Sequence, residues 1–70
     1  MIKDDIIERI GLNIAINREK QGLTQEKLAE LTGLHRAYIG QIERGEKNIG
    51  LKNLEKIAKG LNVNVKDLFD

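Results

Sequence analysis

Apolar residues recur every three or four positions along this chain, and glycine or asparagine interrupts the pattern where a helix would end. A period near 3.6 residues is typical of amphipathic helices. The first segment of this kind predicts a helix over residues 3–21, followed by Gly22 as a left-handed cap. Its apolar stripe consists of Ile7, Ile10, Ile14 and Ala15. Because the chain also lacks proline, the pattern predicts an all-α fold.

Three further helices and a final short turn follow the same pattern. Thr24 is the expected N-cap of the second helix, which ends at Gly33, and Gly45 closes the third. A fourth helix ends at Asn62, which suits a left-handed terminator. The inward-facing residues are expected to be Leu28, Ala29 and Leu31 on the second helix, and Leu51, Leu54, Ile57, Ala58 and Leu61 on the fourth. The final turn is expected to carry Val65, Leu68 and Phe69 behind a capping box of Asn64 and Asp67.

The length and composition limit what this chain can be. Seventy residues predict one domain over residues 1–70, with a core so small that we expect a homodimer. With no cysteine, a single histidine (His35) and no calcium-loop spacing of its acids, the sequence predicts no metal and no other cofactor. The longest uncharged stretch is the eight residues 10–17, too short to span a membrane, and the acidic start is unlike a signal peptide. A soluble, cytoplasmic protein is therefore expected.

The formal net charge of +1 hides an uneven distribution of charge along the chain. Residues 35–52 contain four lysines and arginines against two acids, whereas residues 1–16 sum to −1 and residues 53–70 to zero. This middle segment is compatible with a polyanionic partner. Charge alone leaves a second interpretation open, namely a solvated surface of mixed charge.

The third predicted helix has one face that is unusually free of acids. Placed at 100° per residue, one arc of roughly 140° holds no acidic residue and no large apolar residue. The residues on this arc are Arg36, Ala37, Gly40, Gln41 and Arg44. The acid of this helix, Glu43, is expected beside Ile39, away from the arc.

The spacing of small and apolar residues across the second and third helices is typical of a helix-turn-helix. Ala29, Gly33, Ile39 and Ile42 fall at relative positions 1, 5, 11 and 14. A small residue is needed where the helices cross, the glycine supplies a positive φ in the turn, and the isoleucines fill the space beneath. We therefore expect a helix-turn-helix at about residues 24–45. Because helical hairpins also place small residues at crossings, a purely structural hairpin is the alternative.

The segment TQEKLAELTGLHRAYIGQIERGEKNIGLKNLEKIAKGLNV resembles the phage-lambda repressor/Cro (Xre-like) helix-turn-helix family. The resemblance extends over about residues 8–69. Within it, RAYIGQIERG followed by Lys47 and Asn48 is especially similar to controller proteins of restriction–modification systems. The resemblance implies a compact five-helix domain that binds a double-stranded DNA operator as a symmetric dimer.

The resemblance also assigns roles to particular residues. It implies that the third helix lies in the major groove, with Arg36, Ala37 and Gln41 reading bases. The residues implied to contact the DNA backbone are Gln25, His35, Tyr38, Arg44, Lys47, Asn48 and Lys52. Arg18 and Glu43 correspond to a structural ion pair that joins the first helix to the third. The residues in the C-terminal part, where relatives dimerise, are Leu51, Val63, Val65 and Phe69, each of which is equally compatible with a place in the core.

Some positions carry a second interpretation or depart from the family pattern. His35 is also compatible with a helix start that binds nothing, and Tyr38 with a half-buried core residue whose hydroxyl reaches phosphate. Gly50 stands where serine or threonine normally caps the fourth helix, so that end is expected to fray. Gly60 and Asn62 replace the usual ending of that helix. These departures concern stability more than function.

The sequence discriminates among three classes of function. A sequence-specific DNA-binding regulator explains the acid-free arc, whereas a protein-interaction module, antitoxin-like or a scaffold, is expected to expose a larger apolar patch. An enzyme is excluded by the sequence, which contains no nucleophile–base pair, phosphate-binding glycine loop or metal-ligand set. We expect no small-molecule ligand and no membrane partner.

Overall fold

Residues 5–70 of the protein, described by a computed structural model, form four α-helices and one 3₁₀ helix. These are α1 (Ile6–Lys20), α2 (Gln25–Thr32), α3 (Arg36–Glu43), α4 (Leu51–Leu61) and a 3₁₀ helix (Val65–Leu68). The all-α prediction is confirmed. The predicted start of the first helix at residue 3 lies outside the described residues, and the described helix begins after Asp5, whose Oδ1 accepts a hydrogen bond from the amide of Ile7 at 2.9 Å.

The expectation of five helices is wrong at the C-terminus, where the last element is not an α-helix. Its four residues are too few for an i→i+4 ladder, and the main chain closes instead with an i→i+3 bond from the amide of Asp67 to the carbonyl of Asn64 at 3.0 Å. The amide of Asn64 donates in return to the carboxylate of Asp67 at 3.1 Å. This turn is long enough to bury Leu68 completely.

The helix ends lie where the sequence predicts them. Thr24 accepts a hydrogen bond from the amide of Lys27 at 3.0 Å and so caps α2. Gly33 follows α2 with φ of 75°, and its amide donates to the carbonyl of Ala29 at 2.8 Å. Asn62 takes the left-handed conformation after α4, with φ of 58°. These residues make the turns that let α2, α3 and α4 pack on one another.

One core joins all of these elements. The buried apolar residues are Ile10, Ile14, Leu28, Ile39, Ile42, Leu54, Ile57, Ala58, Leu61 and Leu68. Two residues expected to face inward do not: Leu31 is 50 % exposed and Leu51 is 80 % exposed. Leu31 lies three residues beyond the fully buried Leu28, at the edge of the contact between α2 and α4, and Leu51 is the first residue of α4, ahead of its buried turns. A helical period thus identifies the side of a helix but not how far the neighbouring elements cover it.

The first half of α1 contacts the C-terminal end of α3 at main-chain distance. A Cβ added to Gly11 would overlap the carbonyl oxygen of Ile42 and lie 3.1 Å from that of Glu43. A Cβ added to Gly45 would lie 2.7 Å from Cγ of Glu8. The two glycines therefore let α1 lie directly against the end of α3 and fix the direction of that helix. Gly11 had no role in the sequence-based prediction, although a glycine inside a helix costs about 1 kcal/mol and so points to a close contact.

Candidate nucleic-acid interface

The exposed surface of α3 carries arginine and alanine but no acidic side chain. Arg36, Ala37 and Arg44 are exposed and Gln41 is half-buried. Gly40 is buried. A Cβ added there would lie 3.0 Å from Nη1 of Arg44 and 3.7 Å from Oε1 of Gln25, so these two side chains cover the glycine. The guanidinium of Arg44 thus lies against the helix main chain at Gly40.

Arg36, the first residue of α3, is joined to the first turn of α2. Its Nε donates to Oε2 of Glu26 at 3.0 Å, and both side chains are largely exposed. The contact bridges the N-terminal ends of the two helices. Helix N-termini are favourable places for phosphate groups.

Arg44, at the other end of α3, is joined to Glu46 by two hydrogen bonds. Its Nε donates to Oε2 at 2.8 Å and its Nη2 donates to Oε1 at 3.2 Å. The hydrogen bond to Arg44 lowers the pKa of Glu46, and the same bond raises the pKa of Arg44. Both groups therefore remain charged at neutral pH. This ion pair places an acid beside the arc, though outside α3.

A partly buried polar network lies at the end of α3. Arg18 donates to Glu43 from Nε at 2.7 Å and from Nη2 at 3.1 Å, and its Nη1 donates to the carbonyl of Leu23 at 2.7 Å. Gln25 Nε2 adds a fourth bond, to Oε1 of Glu43 at 2.9 Å. The hydrogen bond to Glu43 raises the pKa of Arg18, and burial opposes it more weakly. The network connects α1, the loop before α2, the start of α2 and the end of α3.

Tyr38 and His35 have different surroundings. Tyr38 is half-buried against the core, and its hydroxyl oxygen accepts a hydrogen bond from Nδ2 of Asn53 at 3.0 Å. A hydroxyl that accepts one hydrogen bond keeps its own hydrogen to donate. His35 is exposed at the N-cap of α3 and makes no capping bond through its side chain. The contact between Tyr38 and Asn53 was not anticipated from the sequence, because it joins α3 to α4 over 15 positions.

The other predicted contact residues are on the surface or at its edge. Lys47 and Asn48 lie exposed in the loop after α3, and Lys52 lies exposed in the first turn of α4. Of the residues assigned to a dimer interface, Leu51 and Phe69 are exposed, whereas Val63 and Val65 are half-buried and pack against the core. The structure thus brings the DNA-contact candidates to the ends of α2, α3 and α4 and spreads the dimer candidates over core and surface.

Residues 5–70 show no arrangement suited to small-molecule or metal chemistry. This part of the chain contains no cavity and no group of three or more histidine, aspartate or glutamate side chains that could hold a metal ion. None of its helices has the length and apolar character needed to cross a membrane.

Comparison with known proteins identifies the family. The sequence profile of the helix-turn-helix family matches residues 14–68. Control protein C.SmaI of Serratia marcescens is 47 % identical over 65 residues, which cover 93 % of this chain and 77 % of the relative. The restriction–modification controller protein C.AhdI from Aeromonas hydrophila has a similar structure, with a TM-score of 0.88 and 40 % identity over 90 % of this chain and 96 % of that one.

A second solved structure adds a nucleic acid to the comparison. The structure of C.Esp1396I bound to a 25 base pair operator site matches with a TM-score of 0.85 and 37 % identity, over 96 % of this chain and 88 % of that one. The resemblance seen in the sequence is therefore confirmed in the order and arrangement of the helices. The chain belongs to the Xre-like helix-turn-helix family.

Proposed function

We propose that this protein is a transcriptional regulator that binds an inverted-repeat DNA operator as a homodimer and controls restriction–modification genes. The observation that carries the proposal is the face where Arg36, Ala37 and Arg44 lie exposed and to which α3 itself contributes no acidic side chain. Family membership supports it, since C.SmaI is a control protein and C.Esp1396I is seen on an operator site. The relatives are control proteins, so we propose binding alone and no reaction.

Base reading is proposed for Arg36, Ala37 and Gln41. Arg36 is exposed at the N-terminus of α3, the part of a recognition helix that contacts base edges. Its planar guanidinium can donate twice to O6 and N7 of guanine, a contact worth roughly 1–3 kcal/mol of discrimination. Ala37 can contact a thymine methyl group, and Gln41, one turn further on, can pair with adenine.

Contacts to the DNA backbone are proposed for the remaining candidates. Phosphate contacts set the position of a protein on DNA without reading its sequence. The second amide hydrogen of Gln25 Nε2 remains able to donate, because the first is given to Glu43. Exposed side chains around the arc supply the other donors. The residues proposed for this role are Gln25, His35, Tyr38, Arg44, Lys47, Asn48 and Lys52.

Selection of random duplex DNA by the purified protein tests the proposal, at roughly 0.15 M salt, where weak non-specific binding fades. We expect the wild type to recover one inverted repeat with half-site centres about 34 Å apart. Arg36→Ala should keep the fold and relax base preference at one position in each half-site. Lys47→Ala removes a charge of the same sign, yet it should weaken binding evenly across sequences and reduce the salt slope by about one.

Two results would contradict these assignments. Recovery of no common sequence by the wild type would favour a helical protein-interaction module over a DNA-binding regulator. Unchanged base preference in Arg36→Ala, with tight binding retained, would remove Arg36 from the base-reading set. A changed preferred site in Lys47→Ala would likewise contradict its assignment to the phosphate backbone.

A further inference from the structure

The two arginines of the exposed arc are held by carboxylates through different nitrogens. Arg36 donates to Glu26 from Nε alone, at 3.0 Å. Arg44 donates to Glu46 from both Nε and Nη2, at 2.8 and 3.2 Å. The two arginine side chains are equally exposed, at 59 % and 58 %, so they differ in how they are held rather than in access to solvent.

The bond from Arg36 to Glu26 leaves the end of the guanidinium free to read guanine. A bidentate contact to O6 and N7 needs two parallel N–H groups, which the terminal nitrogens Nη1 and Nη2 supply. The bond from Arg36 to Glu26 uses neither of them. In Arg44, Nη2 gives one of its two hydrogens to Glu46, and Nη1 lies 3.0 Å from the position that a Cβ on Gly40 would take. Arg36 is therefore held with both of its terminal nitrogens free of Glu26, whereas the carboxylate on Arg44 also uses a terminal nitrogen.

We propose that Glu26 is a positioning residue for base recognition: it holds the guanidinium of Arg36 by Nε and so presents Nη1 and Nη2 to guanine. This inference rests on the proposed function, because it concerns the same surface. An arginine has many rotamers, and fixing it before binding reduces the conformational entropy that binding would otherwise cost. A guanidinium held in one orientation is also less able to adapt to a different base, so Glu26 increases discrimination as well as affinity.

A role for Glu26 in holding Arg36 and a role only as a negative charge predict different results when Glu26 is neutralised. A carboxylate close to DNA repels phosphates, so charge alone predicts that Glu26→Gln tightens binding to every duplex. Positioning predicts that the same variant loses preference for the operator. Glu46→Gln is a matched control, since it removes the same carboxylate charge beside an equally exposed arginine that is proposed to contact the DNA backbone rather than a base.

The experiment compares wild type, Glu26→Gln and Glu46→Gln on two duplexes. These are the selected operator and the same operator with the guanine read by Arg36 changed to adenine. We expect the ratio of the two affinities to fall about three- to tenfold in Glu26→Gln, the factor that corresponds to ordering one long side chain. In Glu46→Gln both affinities should rise about two- to fivefold while their ratio stays constant. Circular dichroism of each variant checks that the helices are retained.

Repeating Glu26→Gln in an Arg36→Ala background shows whether Glu26 acts through Arg36. If it does, the ratio of the two operator affinities should be the same in Arg36→Ala with and without Glu26→Gln. A ratio that still falls in that background would overturn the inference, as would a Glu26→Gln variant that behaves like Glu46→Gln. The wild type, measured in the same titrations, distinguishes failure of the proposed function from failure of the inference about Glu26. A wild type without sequence preference overturns the proposed function and this inference with it, whereas a normal wild-type preference that Glu26→Gln leaves intact overturns the inference alone.

Discussion

Arg18 and Glu43 are nearly inaccessible to solvent, with side chains 11 % and 6 % exposed, and they satisfy each other's charge. Moving two ions out of water is costly, and their attraction compensates only when the geometry is good and the remaining donors and acceptors are bonded. Both oxygens of Glu43 accept from Arg18, and Gln25 adds a third bond. The pair therefore contributes little net stability, yet the loss of either member should be expensive. Its position beneath α3 makes it a support for the arc.

Glu43→Gln leaves the mostly buried guanidinium of Arg18 with only the exposed carboxylate of Glu19, at 3.6 Å, as counter-charge, so we expect the free energy of unfolding to fall by about 2–4 kcal/mol. Urea denaturation followed by circular dichroism measures it. Glu30→Gln breaks an exposed ion pair with Lys27 and is the control, expected to leave the midpoint nearly unchanged. The double variant Arg18→Met with Glu43→Leu should recover much of the loss. A double variant less stable than Glu43→Gln would show that the pair stabilises the fold outright.

Side-chain pairs show where sequence reasoning stops at the residue scale. The resemblance implied an ion pair of Arg18 with Glu43, and the two side chains are bonded in the structure. The bond between Arg36 and Glu26 was not foreseen, since it depends on the distance between the N-terminal ends of two helices. That distance is set by the turn and by packing across α2 and α3, which no local pattern records.

At the scale of elements, α4 begins without a side-chain cap. Gly50 is its N-cap, with an extended main chain at φ of −74° and ψ of 157°, and makes no capping bond. A Cβ placed there would meet no atom within 4 Å. Gly22, after α1, is equally open around its Cβ position but has φ of +71°. The two glycines thus differ in main-chain conformation and not in available space.

Gly50→Ser should stabilise the protein by about 0.5–1 kcal/mol, because serine caps the helix and restricts the unfolded chain. A rise of about 4 °C in the melting temperature is expected for a chain of this length. The control is Gly22→Ser, which places the same side chain in a left-handed conformation and should cost about 1 kcal/mol. Thermal denaturation of both variants at one protein concentration measures the difference. Equal shifts in the same direction would show that capping and φ do not decide stability here.

The ends of the helices were predictable from the sequence, whereas the burial of individual residues on their apolar faces was not. Thr24, Gly33 and Asn62 act through their own main chain and nearest neighbours, so their positions could be recognised without knowledge of the fold. Leu31 and Leu51 follow the helical period and yet are exposed, because burial depends on which element lies opposite. The last segment was recognised as a turn, whereas its 3₁₀ geometry follows from its length of four residues.

For the molecule as a whole, the surface retains several large apolar side chains. The exposed ones among residues 5–70 are Ile6, Leu12, Ile16, Leu31, Leu51 and Phe69. A chain of 70 residues has a small core, so covering some of these residues by a second copy would add stability that the monomer lacks. An inverted repeat also requires two reading helices in fixed relation, which one copy cannot provide. Leu51 is the most exposed of the proposed dimer residues and therefore the best position for a test.

If Leu51 lies in the proposed dimer interface, Leu51→Ser should give a folded monomer, because a side chain that is 80 % exposed contributes little to the monomer core. Sedimentation equilibrium at micromolar concentration measures the change in oligomeric state. Operator binding should also weaken, because a higher protein concentration is needed to form the dimer that binds. Leu31→Ser is the matched control, a half-exposed leucine on α2 outside the proposed interface, and should remain dimeric. Dissociation caused by Leu31→Ser, with Leu51→Ser still dimeric, would move the interface from the start of α4 to α2. Retention of the dimer in both variants would leave the exposed face of α1, with Leu12 and Ile16, as the surface that joins the two copies.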